Sequence, residues 1–226
     1  MSHFAVSVLI GKDELKDKTL EEVLQEKLAP YQENNMGDCP EEYLKFCVWG
    51  NDGETHWFED EDEFEKSDIE LKYPDEEGYW ENPNAKWDWY VVGGRFSGFL
   101  LVDGKSVDKG RKKDIDWDGM KEQNTEMYKD NYERSFKDYP DNPDGREFFY
   151  GVLEGETLEE YLDRKSKFST FAVITKDGEW REKGEMGWWG IADEKIDTKV
   201  WDYDFFDMFI KSLDEDDIIV IVDCHI

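Results

Sequence analysis

Two largely apolar runs lie near the two ends of the chain. The first covers residues 4–10 and is closed by Gly11, and the second covers residues 218–222 after the acidic turn at 214–217. Both runs are rich in β-branched residues and are too short for helices, which predicts two strands. Such runs are typical of central strands covered by helices.

Two other segments combine a helix-capping signal with apolar residues at helical spacing. Thr19 with Glu22, and Thr157 with Glu160, each match the Ser/Thr-x-x-Glu capping box. The first box is followed by a stripe of leucine and valine that Pro30 ends, and the second by a shorter stripe. A further strand is predicted over residues 168–175 and a third helix over 204–213.

Periodicity is weaker between residues 31 and 155, where short apolar pieces alternate with acidic runs and turn signals. Within this region, residues 87–92 and 96–102 are aromatic and β-branched, and Gly93-Gly94 separates them, which predicts a hairpin. We therefore expect one α+β domain over residues 1–226. It would be a compact sheet with the N- and C-terminal strands central and adjacent, helices on one face, and a large irregular insertion at about 31–155.

The charge of the chain limits its partners. Lys and Arg number 28 against 58 Asp and Glu, a formal net charge of −30, so phosphate backbones and anionic membranes are repelled. Direct nucleic-acid binding and membrane association are therefore not expected. A hydrophobic fraction of 38%, with 15% aromatic residues, is too high for an acidic disordered tail.

Cysteine usage and the N-terminal residues bear on the compartment. Cys39, Cys47 and Cys224 have no metal-type spacing, so neither a disulfide framework nor a zinc site is predicted. The N-terminus lacks the basic and apolar regions of a signal peptide, and no apolar run is long enough to span a bilayer. The sequence predicts a cytoplasmic protein, without a cofactor and with an oligomeric state that it does not determine.

Two histidines lie at the ends of the predicted terminal strands. His3 precedes the first strand and His225 follows the last, so antiparallel pairing would bring both imidazoles together with Asp223 and Cys224. A histidine pair with a carboxylate can supply general acid and base for phosphodiester cleavage, or can hold a phosphate or a metal ion. His3, Asp223 and His225 are the candidate catalytic residues. The alternative is two surface histidines without a shared role.

A second candidate site concentrates large rings, glycines and an arginine within ten positions. Glycines let a backbone approach a ligand, arginine can fork onto a phosphate, and aromatic rings can stack on a base. The alternative is that the rings fill the core and the glycines form a turn. The candidate ligand-binding residues are Trp87, Trp89, Tyr90, Gly93, Gly94 and Arg95, together with Trp188 and Trp189 of a similar cluster at 187–190.

Residues 114–119 resemble the first half of an EF-hand calcium loop, with acidic residues at alternating positions before Gly119. The position that needs the bidentate carboxylate is Thr125, and Glu126 comes one residue late. A solvated acidic turn is therefore favoured over calcium binding, and no metal site is predicted.

Several short pieces of the sequence together resemble a family of uncharacterised tailed-bacteriophage proteins. They are the MSHF start, the segment LAPYQEN at 28–34, KWDWY at 86–90 with GGR at 93–95, the GWWG turn at 187–190 and the DCHI ending. Members often carry Thr where this chain has Ala5, so a His-x-Thr pair like that of two-histidine phosphoesterases is missing. The resemblance implies a protein made by a phage inside a bacterium, and it supplies no activity or catalytic residues.

Three functions are compatible with these features. The first is a protein that binds, or cleaves as a phosphodiesterase, a small nucleotide such as a cyclic nucleotide immune signal, which accounts for both clusters. The second is an acidic decoy that imitates DNA and inhibits a host DNA-binding enzyme, which accounts for the charge. The third is a structural or assembly partner. We rank them in this order because clustered exposed aromatics are costly, whereas acidity often serves solubility alone.

Overall fold

The computed structural model describes residues 2–73, 75, 77–186, 192–194 and 196–226. The strands in the described part of the chain are β1 (His3–Ile10), β2 (Lys45–Trp49), β3 (Thr55–Phe58), β4 (Tyr79–Glu81), β5 (Trp89–Val92), β6 (Leu100–Val102), β7 (Lys105–Val107), β8 (Lys109–Arg111), β9 (Ala172–Ile174), β10 (Trp180–Glu182), β11 (Gly184–Met186), β12 (Ala192–Glu194) and β13 (Ile218–His225). The α-helices are α1 (Leu20–Leu28), α2 (Glu61–Glu65), α3 (Trp117–Asp138), α4 (Pro143–Tyr150), α5 (Leu158–Lys165) and α6 (Thr198–Phe205).

The two terminal strands are neighbours at the centre of the main sheet, as the sequence predicts. β1 and β13 pair antiparallel from His3 opposite His225 to Ile10 opposite Ile218. The sheet order is β10-β9-β1-β13-β5, and β8 also pairs with β13. β9 runs parallel to β1, whereas β10 is antiparallel to β9. The α+β class and the central, adjacent position of the terminal strands are therefore confirmed.

Alternate residues of the central strands divide between two cores. The even-numbered residues of β1, from Phe4 to Ile10, pack with the apolar side of α1. On the opposite face, Leu9 packs with Ile219 and Ile221 of β13 and with rings of α6. The prediction of helices on one face is corrected, because strands that are apolar on both faces need a helical cover on each.

Residues 31–155 contribute directly to the main sheet. β5 pairs with residues 222–225 of β13, and β8 pairs with residues 218–220, so both extend the same edge. The rest of this region contains a separate sheet of order β3-β2-β4, the hairpin β6-β7 and the helices α2, α3 and α4. The predicted hairpin of 87–92 with 96–102 is wrong, because β5 pairs with β13 and β6 pairs with β7.

The capping boxes and the later elements are largely as predicted. Thr19 and Thr157 cap α1 and α5: each hydroxyl accepts the backbone N–H of the glutamate three residues later, and the carboxylate of that glutamate accepts the backbone N–H of the threonine. The strand predicted over 168–175 is shortened to β9. The helix predicted over 204–213 begins earlier, as α6, and continues through a π-helical turn at Phe206–Ile210.

A bilayer-spanning helix has to be long and largely apolar, and the lengths and residues of the helices can be compared with this requirement. None of those in the described part of the chain combines the length and the apolar character that a bilayer span requires.

Candidate functional site

The register of β13 with its neighbours β1 and β5 determines which side chains meet at the site. His3 of β1 lies directly opposite His225 of β13, and Ala5 lies opposite Asp223. On the other side of β13, Trp89 of β5 lies opposite His225. Because side chains alternate along a strand, His3, Asp223, His225 and Trp89 project from the same face of the sheet. The predicted convergence of His3, Asp223 and His225 is confirmed.

The two histidines form two separate pairs with carboxylates. Nδ1 of His3 lies 2.9 Å from Oδ1 of Asp223, and Nδ1 of His225 lies 2.6 Å from Oδ1 of Asp88. An ionised carboxylate only accepts hydrogen bonds, so each imidazole donates from Nδ1. In a neutral imidazole, this arrangement leaves Nε2 as the acceptor that can take a proton.

The two imidazoles are in contact with each other and with an indole. The His3 and His225 rings are 5.0 Å apart, centroid to centroid, in an edge-to-face arrangement. Trp89 stacks on His225 at 4.9 Å, and its centroid lies 5.4 Å from that of His3. Trp89 nevertheless remains 45% exposed. One indole therefore lies beside both histidines and keeps surface open to solvent.

Asp223 is held on two sides. Its Oδ1 pairs with His3, and its Oδ2 accepts a hydrogen bond of 2.9 Å from the backbone N–H of Arg95. The backbone approaches closely because position 94 is glycine: a Cβ there would lie 2.5 Å from Oδ2 of Asp223, and the φ angle of Gly94 is +53°. Asp223 itself is 1% exposed. Its two bonds fix the carboxylate and, through it, the orientation of the His3 ring.

The side chain of Arg95 is exposed. Within the described part of the chain, the guanidinium has no hydrogen bond or ion pair, and only the backbone of this residue is engaged. The glycine before Gly94 has a structural role as well, since a Cβ on Gly93 would lie 2.5 Å from the carboxylate of Asp108. The two glycines thus admit carboxylates of the chain itself, and they leave Arg95 at the surface.

The other rings of the candidate cluster lie on the opposite face. Trp87 is 4% exposed, and its Nε1 donates to the carbonyl of Leu28 at the end of α1. Tyr90 packs edge-to-face on Trp87, and burial raises the pKa of its hydroxyl. A ring enclosed in this way has no face open for stacking on a base, so we assign Trp87 to packing. Trp188 and Trp189 lie outside the described residues.

Cys224 also faces away from the histidines. It lies opposite Phe4 and belongs to the core beneath α1, so the predicted convergence of Cys224 with the imidazoles is wrong. Burial, and then the charges of Asp223 and Asp88, raise the pKa of the thiol well above its usual value. A thiolate is the nucleophilic form of cysteine, so this thiol is poorly suited to chemistry.

No metal centre is formed in the described part of the chain, where no group of three or more His, Cys, Asp or Glu side chains is arranged to hold an ion. The segment that resembles a calcium loop is instead a helix start. Oδ1 of Asp116 accepts the backbone N–H of Gly119 and caps α3, while Asp114 pairs with Arg111.

Asp88 is the member of the site that sequence reasoning missed. It precedes β5, and its pairing with His225 depends on β5 lying next to β13. Its position beside Trp89 was a weak signal. His3, in addition, lines a cavity of about 480 Å³ on the same face of the sheet. The site therefore consists of two histidine–carboxylate pairs, an exposed indole, an exposed arginine and an adjoining cavity.

Comparison with known proteins adds no assignment: no family model, no curated protein and no solved structure matches this chain.

Proposed function

We propose that this protein binds a small nucleotide at the cluster around His3 and His225 and cleaves a phosphodiester bond in it. The observation that carries the proposal is the side-by-side arrangement of two histidine–carboxylate pairs, His3 with Asp223 and His225 with Asp88. Phosphodiester cleavage needs one group to remove a proton and another to supply one, and two adjacent imidazoles can divide these roles.

The neighbouring side chains suit the two parts of a nucleotide. The exposed surface of Trp89 offers a stacking platform for a base. The exposed guanidinium of Arg95 offers a planar fork for a phosphate. Asp223 connects the two parts of the site, because it binds His3 through one oxygen and the backbone of Arg95 through the other. A phosphate at Arg95 would therefore lie close to an oriented imidazole.

The cellular setting follows from the resemblance to tailed-bacteriophage proteins. A phage protein made in the bacterial cytoplasm that binds or destroys a nucleotide would counter defence systems that signal through cyclic nucleotides. Cyclic mono- and dinucleotides are therefore the first ligands to test, and sequestration without cleavage is the simpler form of the same function.

Binding is tested by calorimetry and by thermal shift with a panel of linear and cyclic nucleotides, because a ligand of the folded state raises the melting temperature. Arg95→Lys keeps the charge and loses the fork, so affinity should fall by about 1 to 3 kcal/mol. Arg134→Lys, at an exposed position on α3, is the matched control and should bind as the wild type does. Unchanged affinity in Arg95→Lys, with a lowered melting temperature, would assign Arg95 to packing alone.

Cleavage is tested separately, by chromatography of the products. His3→Gln and His225→Gln retain a side chain that can hydrogen bond but cannot exchange a proton near neutral pH. Each should abolish turnover and leave most of the affinity. Turnover that persists in both variants would remove the histidines from the mechanism.

An acidic decoy for a host DNA-binding enzyme is the second candidate, and the observation that favours it is the net charge of −30. Pull-down from bacterial lysate separates the two functions. Recovery of a restriction or repair nuclease that DNA competes away would favour the decoy over the nucleotide site.

A further inference from the structure

The cavity beside His3 lies between secondary-structure elements that are far apart in the sequence. Its wall is formed by one side of α3, by the segment that joins α5 to β9, by the chain before and within β6, and by α6. Its volume of about 480 Å³ is within the range of sites for small organic ligands. His3 and Ala5 at the start of β1 close it towards the histidine pairs.

The charges on this wall differ from those of the chain as a whole. Lys165, Lys167 and Lys183 line the cavity, and Asp202 is the acidic residue of the lining. Lys183 lies 4.0 Å from Asp202 and Lys167 lies 3.8 Å from Asp163, so Lys165 is the source of excess positive charge on this wall, in a chain of net charge −30. Because low-dielectric walls strengthen a local field, an anion is favoured inside this cavity although it is repelled elsewhere on the surface.

The carboxylate of Asp202 is already engaged. Its Oδ2 accepts from Nη1 of the buried Arg164 at 2.8 Å, and its Oδ1 is 4.0 Å from Nζ of Lys183. Arg164 supplies a further positive charge behind the wall, which Glu156 balances through two hydrogen bonds. Asp202 therefore pairs with Arg164 and Lys183 rather than with Lys165.

Lys165 is the cavity lysine to which a bound anion would supply a counter-charge. Within the described part of the chain its Nζ has no carboxylate and no hydrogen-bond acceptor, and it lies 5.3 Å from the centroid of the Tyr128 ring. Burial lowers the pKa of this amine. An ammonium group beside a ring has lost part of its hydration, and binding an anion restores favourable interaction free energy to it.

Apolar side chains form one part of the remaining wall, beside polar side chains that include Gln123, Asn124 and Ser169. Phe99 and Phe171 contribute rings, and Met120, Met127 and Trp201 contribute further apolar surface. Methionine side chains adapt their shape and pack favourably against aromatic rings. The cavity thus combines a cationic side with a side that accepts a flat apolar group.

We infer that this cavity binds a phosphate monoester carrying an aromatic group, with Lys165 in contact with the phosphate and the ring against the apolar wall. A phosphate monoester carries about −1.5 to −2 charges at pH 7, which suits several ammonium groups better than a carboxylate does. The inference does not depend on the proposed nucleotide function, because it requires neither a nucleoside nor catalysis by the histidines.

The test uses the full chain and four small probes in calorimetry: phenyl phosphate, inorganic phosphate, benzoate and phenol. Phenyl phosphate should bind tightest, because it alone combines the dianion with the ring. Lys165→Met should weaken its binding by at least about tenfold, as expected for the loss of a hydrogen bond between charged groups. Lys121→Met removes an exposed lysine of α3 outside the cavity and should change the affinity less than about twofold.

A measurement on the unaltered chain guards against a variant that fails to fold. Phenyl phosphate should slow reductive methylation of Lys165, read by mass spectrometry, and leave Lys121 unaffected. Three results would each overturn the inference. They are the absence of saturable binding, equally tight binding of any other probe, and equal methylation of Lys165 with and without phenyl phosphate. Binding of phenyl phosphate without binding of any nucleotide would reject the proposed function and retain this one.

Discussion

Arg164 should be one of the most sensitive positions for stability. Its guanidinium is 1% exposed and donates from Nε and Nη2 to Glu156 at 2.8 and 2.7 Å, from Nη1 to Asp202 at 2.8 Å, and from Nη2 to the carbonyl of Gly151 at 2.7 Å. Burial opposes its charge, but the two carboxylates outweigh burial and raise its pKa. The three charged groups join α5 to the loop before it and to α6.

Arg164→Met keeps the volume and removes every donor, so two carboxylates remain in a poorly hydrated site. Breaking a buried ion pair in this way costs about 3 to 5 kcal/mol. For a chain of this length each kcal/mol lowers the melting temperature by about 2 to 4 °C, so a fall on the order of 10 °C is expected. Chemical unfolding followed by far-UV circular dichroism gives the free energy directly.

Two controls distinguish the effect of uncompensated buried charge from the effect of removing any arginine. Arg181→Met removes an exposed ion pair with Glu179 and should cost less than about 1 kcal/mol. Adding Glu156→Gln and Asp202→Asn to Arg164→Met removes the uncompensated charges and should recover part of the loss. A cost below about 1 kcal/mol for Arg164→Met would refute the reasoning, since it would mean that the carboxylates are hydrated or protonated without penalty.

Two further predictions concern Asp217 and Gly94. The buried Asp217 accepts hydrogen bonds from Lys176 and from two backbone N–H groups. Burial raises the pKa of this carboxyl, but the hydrogen bonds outweigh burial and lower the pKa below 3.8. The contribution of Asp217 to stability is therefore complete above that pH and is lost as the pH falls through the lower pKa of the folded state. In unfolding titrations, Asp217→Asn should therefore cost about 1 to 3 kcal/mol at pH 7 and progressively less in acid, and a cost independent of pH would contradict this account. Gly94→Ala should cost about 1 to 3 kcal/mol in chemical unfolding, because the added Cβ would meet Asp223 and position 94 has a positive φ. The control is Gly104→Ala, which also has a positive φ but lies in open space and should cost less. Equal costs for the two variants would show that Asp223 moves freely.

The parts of the fold that could be predicted are those whose signal is local. The terminal strands follow from runs of apolar residues, and the starts of α1 and α5 follow from capping boxes within four positions. α3 was missed because it buries few residues along its 22 positions, so no apolar stripe marks it. The acidic segment before it resembles an incomplete calcium loop in sequence, although Asp116 and Gly119 there are the capping pair of a helix.

The site depends on strand register, which explains what the sequence could and could not predict about it. His3 and His225 could be brought together because each marks the end of a terminal strand, whereas the Asp88 partner required knowing that β5 pairs with β13. Lys165 and Lys167 lie at the end of α5 and Lys183 follows β10, and no common sequence pattern marks these three lysines.

The same dependence shows why the core and the site must be specified together. A slip of β13 by one residue against β1 would turn Asp223 and His225 to the opposite face and bring Cys224 beside His3. Ile219 and Ile221, which share a face with Asp223 and His225, would leave their core in the same step. The apolar residues that bury this face therefore also hold His3, Asp223 and His225 in the register that brings them together.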